Sequence, residues 1–189
     1  NRMAEQAKYD ILCFLHEDIY FETSGWGNLI ISLFHGRNDL GVAGVAGSKY
    51  KSAAYSGWYT GIKEFDCANI NHMENGTSKR IYLKPDNKDT TFEDVVCVDG
   101  VFIVSRKAIW DRIRFNEKKL RGFHYYDIDY SLRASAICAV TVLYNINIVH
   151  ITKGGDFGNS WVDTTITFHN DFRQTLPVFL PTIRTDTST

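Results

Sequence analysis

The chain has 189 residues, a length that suits one domain with a full hydrophobic core. Hydrophobic residues make up 44% and aromatics 14%, which excludes a disordered chain. The 21 basic and 22 acidic residues nearly cancel, so no broad basic field exists and nucleic acid is not an expected partner.

Asn1 to Ala7 looks like the end of a helix without an initiator Met, and is read as part of a fragment with further sequence upstream. Residues 9–15 form an apolar run of strand length, expected to be buried on both faces. The run stops on His16-Glu17-Asp18. Strands of open α/β sheets deliver ligands and catalytic groups at their carboxyl ends. Carboxylate oxygen together with imidazole nitrogen suits Mn, Mg or Zn. A strand ending in a polar loop is the competing account.

Asn28 to His35 carries apolar side chains at helical spacing, and Gly36 is placed to end that helix. Leu40 to Ala46 reads as a short strand whose small residues admit another backbone. Residues 47–94 look least regular, with Pro85 and the turn pair Asn75-Gly76, after which Arg80 to Lys84 reads as a hairpin strand. Long irregular segments usually carry function or move. Here Ser48 to Gly61 is punctuated by glycines and carries the aromatics Tyr55, Trp58 and Tyr59.

Val95 to Val104 looks like two strand segments meeting at Asp99-Gly100. The glycine admits a ligand or a strand, and Asp99 can accept a hydroxyl; a tight bend is the alternative. Arg106 to Arg112 reads as a short helix, and Tyr126 to Ala139 as a longer one. Asp127 and Asp129 fall in the first turn of the latter, where a helix N-terminus stabilises anions. Two residues apart they diverge, so one can face a cleft while the other braces the helix. Charge complementarity alone is the plainer explanation.

Val140 to Val149 reads as a β-branched strand ending on His150, with Gly154-Gly155 behind it. Such a histidine can ligate a metal through a neutral nitrogen, or be structural. His124 and His169 lack comparable context, and His35 and His72 read as surface or loop residues. A helix at roughly 162–175 precedes a Pro-punctuated C-terminal tail, 176–189. Cys13, Cys67, Cys97 and Cys138 form no CxxC pair; they read as small buried hydrophobes in a reducing compartment, and a cysteine zinc site is disfavoured. No apolar run reaches the roughly 18 residues of a bilayer span, and no signal peptide is visible. The element order predicts an α/β domain with a mixed sheet flanked by helices. If that sheet is mainly parallel near Asp18, Asp99 and His150, those groups and Asp127 converge on one edge.

In order and spacing these motifs resemble the family-2 inverting glycosyltransferases of the GT-A fold. The matching residues are Asn1, Ala7, the strand Ile11 to Leu15 with His16-Glu17-Asp18, Val98-Asp99-Gly100, and Phe115-Asn116-Glu117. They continue through Phe123 to Tyr130 with Asp127 and Asp129, then Arg133, and then the stretch from Val140 to His150. The resemblance covers most of residues 1–155 and is closest to the glycosyltransferase-like branch whose strand ends in His-x-Asp. It implies a GT-A-like, Rossmann-like mixed sheet, 1–189 as a single but partial domain, and a nucleotide-binding first half lying before Asn1.

The resemblance also implies transfer of a sugar from a nucleotide-diphosphate sugar to a carbohydrate or other hydroxyl acceptor, with inversion. Asp127 takes the role of base. A divalent metal, Mn or Mg, falls to Asp18 with His16 and His150. Asp99, Gly100, Trp58, Tyr126 and Asp129 fall to substrate binding, Asp129 orienting the helix start or Arg133; Tyr55, Trp58 and Tyr59 fall to stacking on sugar rings, and Ser48 to Gly61 to a lid over donor or acceptor. Bacterial polysaccharide biosynthesis in the cytoplasm, at the inner face of the membrane with peripheral association, is the implied setting; oligomeric state is not readable. This chain departs from the motif twice: His16 replaces the first Asp of Asp-x-Asp, and Tyr126 stands where Glu often precedes the catalytic Asp. A non-catalytic carbohydrate-binding or scaffold domain of the same descent is the alternative, and a metal-dependent hydrolase would need more ligands than the chain offers.

Overall fold

The computed structural model describes residues 1–74, 76–85, 89–151 and 158–180. In chain order its elements begin with α1 (Arg2–Glu5), β1 (Ile11–Leu15), β2 (Ile19–Phe21), α2 (Trp26–Gly36), β3 (Leu40–Gly44), β4 (Ala46–Ser48) and β5 (Tyr50–Lys51). They continue with β6 (Asp66–Glu74), β7 (Thr77–Leu83), β8 (Phe92–Val95), β9 (Cys97–Val98), β10 (Phe102–Arg106), α3 (Lys107–Ile113) and α4 (Tyr126–Ser135). The last are β11 (Ala139–Leu143), β12 (Ile148–Ile151), α5 (Asn159–Asp171) and β13 (Val178–Phe179). The Gly154-Gly155 pair, Asn75 of the expected turn, and residues 181–189 of the tail lie outside the described residues.

One sheet has the order β1-β10-β3-β11-β8, a second the order β2-β12-β6-β4-β9 with β7 on β6, and β13 pairs β5. Alternating side chains divide the apolar strands of the first sheet between two cores. Val42 and Ile103 join Trp110, Tyr130 and Ala134 beneath α3 and α4. Ala43, Phe102 and Val104 join Ile30 and Phe34 of α2 on the other face. Burial on both faces is why β3 and Phe102 to Val104 of β10 are continuously apolar. A third cluster, including Leu120, Ile128, Leu132 and Phe168, seats α5 on α4.

Several expectations need correction. β1 is an edge strand that, among the described residues, pairs β10 alone, and only Leu12 in it is buried; the central positions belong to β10 and β3. Cys13 is therefore exposed and Cys138 half-buried, while Cys67 and Cys97 are buried as expected. The span 47–94 is far from irregular, since it holds the hairpin of β6 and β7. The run 139–151 is two strands in different sheets, so His150 sits within β12 and not at the end of one long strand. The sheets are not mainly parallel: among the described residues only β3 with β11, and β6 with β12, run parallel.

What gathers the site is a different device. The chain passes directly, with no helix between, from one large sheet to the other at five places among the described residues: His16 to Asp18, Val45, Val96, Asp99 to Val101, and Tyr144 to Asn147. β1 and β10 are antiparallel, with Leu15 opposite Phe102, so the first and fourth passages emerge side by side. The His16 N–H donates to the Val101 carbonyl at 3.1 Å and the Asp99 N–H to the Ala46 carbonyl at 2.8 Å. Tight packing at the seam demands small residues, as the strand 40–46 suggested. A Cβ on Gly47 would run into the Cys97 carbonyl, and one on Gly44 into the Val98 side chain at 2.9 Å.

Candidate active site

The Asp99–Gly100 bend meets the start of α4. Asp127 accepts the Gly100 N–H at 2.8 Å on one carboxylate oxygen and the Ile128 N–H at 2.9 Å on the other. Asp99 accepts the Val101 N–H at 2.8 Å and the Trp58 indole N–H at 2.6 Å. Tyr125 enters the helix with φ of 64°, an unusual conformation for a bulky residue. Burial, and then the charge of Asp99, push Asp127 up to about 7 against the two backbone N–H groups that favour its ionised form. A carboxylate near neutrality is matched to proton transfer at physiological pH.

These residues floor a cleft of about 360 Å³ whose walls include Trp58, Tyr59, Phe123, Tyr125 and Trp161. Phe123 is 66% exposed at the rim and lies 5.1 Å, centroid to centroid, from His16. The neighbouring hollow is lined by His16, Glu17, Asp18, Phe123 and Tyr126.

At that second pole His16 Nδ1 lies 3.4 Å from His150 Nε2, and His150 Nε2 lies 3.2 Å from Asp18 Oδ1. One ligand atom from each of the three falls within 4.8 Å of the others. His150 Nδ1 is buried and finds no hydrogen-bond partner among the described residues. Burial holds His16 below its ordinary value and His150 adds to this, while Asp99 and Asp18 pull the other way; the balance favours the neutral ring. Two imidazole nitrogens and one carboxylate oxygen fit a divalent cation.

The structure thus brings His16, Asp18, His150, Asp99, Gly100, Trp58, Tyr126 and Asp127 together. It does not bring Asp129, which was expected beside substrate. Asp129 is 2% exposed and bound by Arg133, whose guanidinium also donates to the Ile113 and Arg114 carbonyls. Its work is bracing α4 against the end of α3, which the Arg133 alternative anticipated. Tyr55 packs edge-on against His169, at 4.8 Å, outside the cleft.

Two features were missed. His72 is no loop residue: it stands in register with His150 across β6 and β12, the rings 5.4 Å apart. Lys51 is fully buried and donates to the Ser52 carbonyl at 2.8 Å and to His169 Nε2 at 3.2 Å, tying the segment that carries Trp58 to α5. Burial pushes its ammonium down to about 8.

A family model described as "Glycosyltransferase like family" matches residues 1–168. The chain belongs to this glycosyltransferase-like family. Its mixed α/β architecture is GT-A-like, as the resemblance implied. Among solved structures, A197 from STIV is similar at 11% identity with a TM-score of 0.45, over 80% of this glycosyltransferase-like chain. The chain spans 63% of that structure's length. No curated protein sequence matches it. No helix among the described residues of this glycosyltransferase-like chain is long and apolar enough to cross a membrane.

Proposed function

We propose that the protein transfers a sugar from a nucleotide-diphosphate sugar to a hydroxyl acceptor, with inversion at the anomeric carbon. The observation that carries this reading is Asp127, held on the cleft floor by Gly100 and Ile128 and pushed up to about 7 by burial and by Asp99. In the proposed step the acceptor oxygen attacks the anomeric carbon as its proton passes to Asp127. The bond from that carbon to the diphosphate breaks, and its electron pair leaves with the diphosphate. One displacement aided by one base gives inversion and needs no covalent intermediate. The aromatic walls Trp58, Tyr59 and Phe123 offer faces to the apolar sides of sugar rings.

His16, Asp18 and His150 would hold a divalent cation, which supplies positive charge to offset that of the departing diphosphate. Asp99 would orient a sugar hydroxyl beside the Trp58 indole.

The test is Asp127→Asn in the full-length protein. General-base assistance is worth roughly 10²- to 10⁴-fold, so transfer falls by that factor while donor affinity stays within about threefold. Transfer persisting within a few-fold of wild type removes Asp127 from this role, and a product of retained anomeric configuration removes the single displacement.

A further inference from the structure

Residues 16 and 126, the two positions where this chain departs from the motif it resembles, touch each other. His16 Nε2 lies 3.2 Å from the Tyr126 hydroxyl, and that hydroxyl lies 3.2 Å from the Gly100 carbonyl, to which it donates. We infer that Tyr126 locks the tautomer of His16, and thereby makes the pole with Asp18 and His150 a nitrogen-rich site for a first-row transition metal in preference to Mg. This rests on the metal-assisted reading of the site proposed above and adds to it which cation and which positioning residue.

A phenol has one proton, and a carbonyl oxygen can only accept. With the Tyr126 proton on the Gly100 carbonyl, His16 is the partner that must donate, so its proton sits on Nε2. A neutral imidazole carries a single N–H, so Nδ1 then presents a lone pair. That is the atom facing His150 Nε2 at 3.4 Å and Asp18 Oδ1 at 4.0 Å. The opposite arrangement aims an N–H at the cation's place and leaves the Gly100 carbonyl without this donor. Atoms held at about 2.1 Å from one tetrahedral ion lie roughly 3–3.5 Å apart; the two pairs that include His150 Nε2, at 3.4 and 3.2 Å, have this spacing, and His16 Nδ1 to Asp18 Oδ1 is wider at 4.0 Å.

Gly100 belongs to the same device. A Cβ at this position would strike the Tyr126 hydroxyl and come within 2.7 Å of its Cζ. Only glycine lets the phenol reach the carbonyl. A hydroxyl that fixes a ligating histidine through its other ring nitrogen typically governs metal affinity by 10- to 100-fold. Two imidazoles also set the selectivity: Mn, Fe, Co and Zn accept nitrogen, whereas Mg prefers an all-oxygen shell that keeps its waters.

Two measurements test this. In metal-free protein labelled with ¹⁵N-histidine, long-range ¹H–¹⁵N spectra should show His16 protonated on Nε2, and Tyr126→Phe should convert it to a tautomer mixture. In calorimetric titrations with Mn and with Zn, Tyr126→Phe and Gly100→Ala should each bind about 10- to 100-fold more weakly than wild type, and Mg in about 100-fold excess should not displace Mn. A merely structural hydroxyl would lower the melting temperature of Tyr126→Phe and leave both the tautomer and the affinity unchanged, which overturns the lock. Wild-type His16 protonated on Nδ1 overturns it as well, and Mg displacing Mn at comparable concentration overturns the selectivity. Wild type that binds no divalent cation overturns the metal site and this proposal with it, while Asp127 as base is judged separately by the Asp127→Asn rate.

Discussion

Asp127 accepts the Gly100 N–H at 2.8 Å, which fastens the first turn of α4 to the bend where the chain leaves one sheet for the other. The carboxylate therefore cannot turn to solvent when it ionises, and its titration is coupled to both folding and catalysis. Between pH 3.8 and about 7 the folded chain holds a proton that the unfolded chain has lost. Stability from this group is thus fully present below pH 3.8 and is lost as pH rises through about 7. The stability of wild type relative to Asp127→Asn is expected to fall steadily from pH 4 to pH 8 in urea titrations. The same ionisation generates the base, so kcat/KM should show an acid limb near pH 7. A flat stability difference over this range would contradict the assignment.

Trp58 reaches Asp99 from a segment that Lys51 anchors to α5. Trp58→Phe deletes the N–H and keeps an aromatic face. A hydrogen bond to a charged group is worth about 1.5–3 kcal/mol. Asp99 keeps its bond from Val101, so the lower figure applies, equivalent to about 3–6 °C in melting temperature for a chain of this size. Acceptor KM is expected to change little in Trp58→Phe and to rise at least tenfold in Trp58→Ala. Equal KM values for the two variants would remove the ring from acceptor binding.

Asp129→Ala separates bracing from substrate contact. Breaking a buried ion pair costs about 3–5 kcal/mol, and partial exposure of Arg133 places this one near the lower figure. The melting temperature should drop by roughly 6–12 °C. At a temperature where the variant is folded, kcat and both KM values should match wild type within about threefold. A selective rise in either KM would restore Asp129 to the substrate site.

Lys51 offers the opposite sign from Asp127. Its ordinary value of 10.5 is pushed down to about 8 by burial, so between these pH values the unfolded chain holds a proton that the folded chain has lost. Stability relative to Lys51→Met is therefore expected to rise from pH 8 to pH 10.5 and to be smallest below pH 8. Denaturation of both variants at pH 7, 9 and 10.5 measures it. A difference independent of pH would mean that Lys51 stays charged when folded.

The polar groups that end apolar runs were legible in the sequence: His16, Asp18, Asp99 and Asp127 stand out because charge interrupts hydrophobic periodicity. So were the helices that became α2 and α4. Pairing was not legible, because β1 and β10 meet across a long stretch of chain, and that contact, not a parallel sheet, brings Asp99 to His16. β6 hid because Asn69 occupies a buried position in it. Its amide donates to the Tyr144 and Ile146 carbonyls at 2.9 and 3.0 Å, so a polar residue does core work and spoils the alternation. His72 was lost with it. The break between β11 and β12 hid for a related reason: Tyr144 to Asn147 turns without glycine or proline, and Asn69 supplies the turn's missing donors.

The five passages between the sheets also decide where this chain tolerates changes in length. Each passage is locked at both ends by a strand in register, so one added residue at Val45 or Val96 would rotate every following side chain to the opposite face. The tip near Gly76, where β6 turns into β7, is free of that constraint. A short peptide tag inserted there is expected to leave folding intact, whereas a single alanine added after Val45 abolishes it. Descendants of this fold can therefore diversify at the hairpin tip while the seam, and the spacing of the groups mounted on it, stays invariant in length.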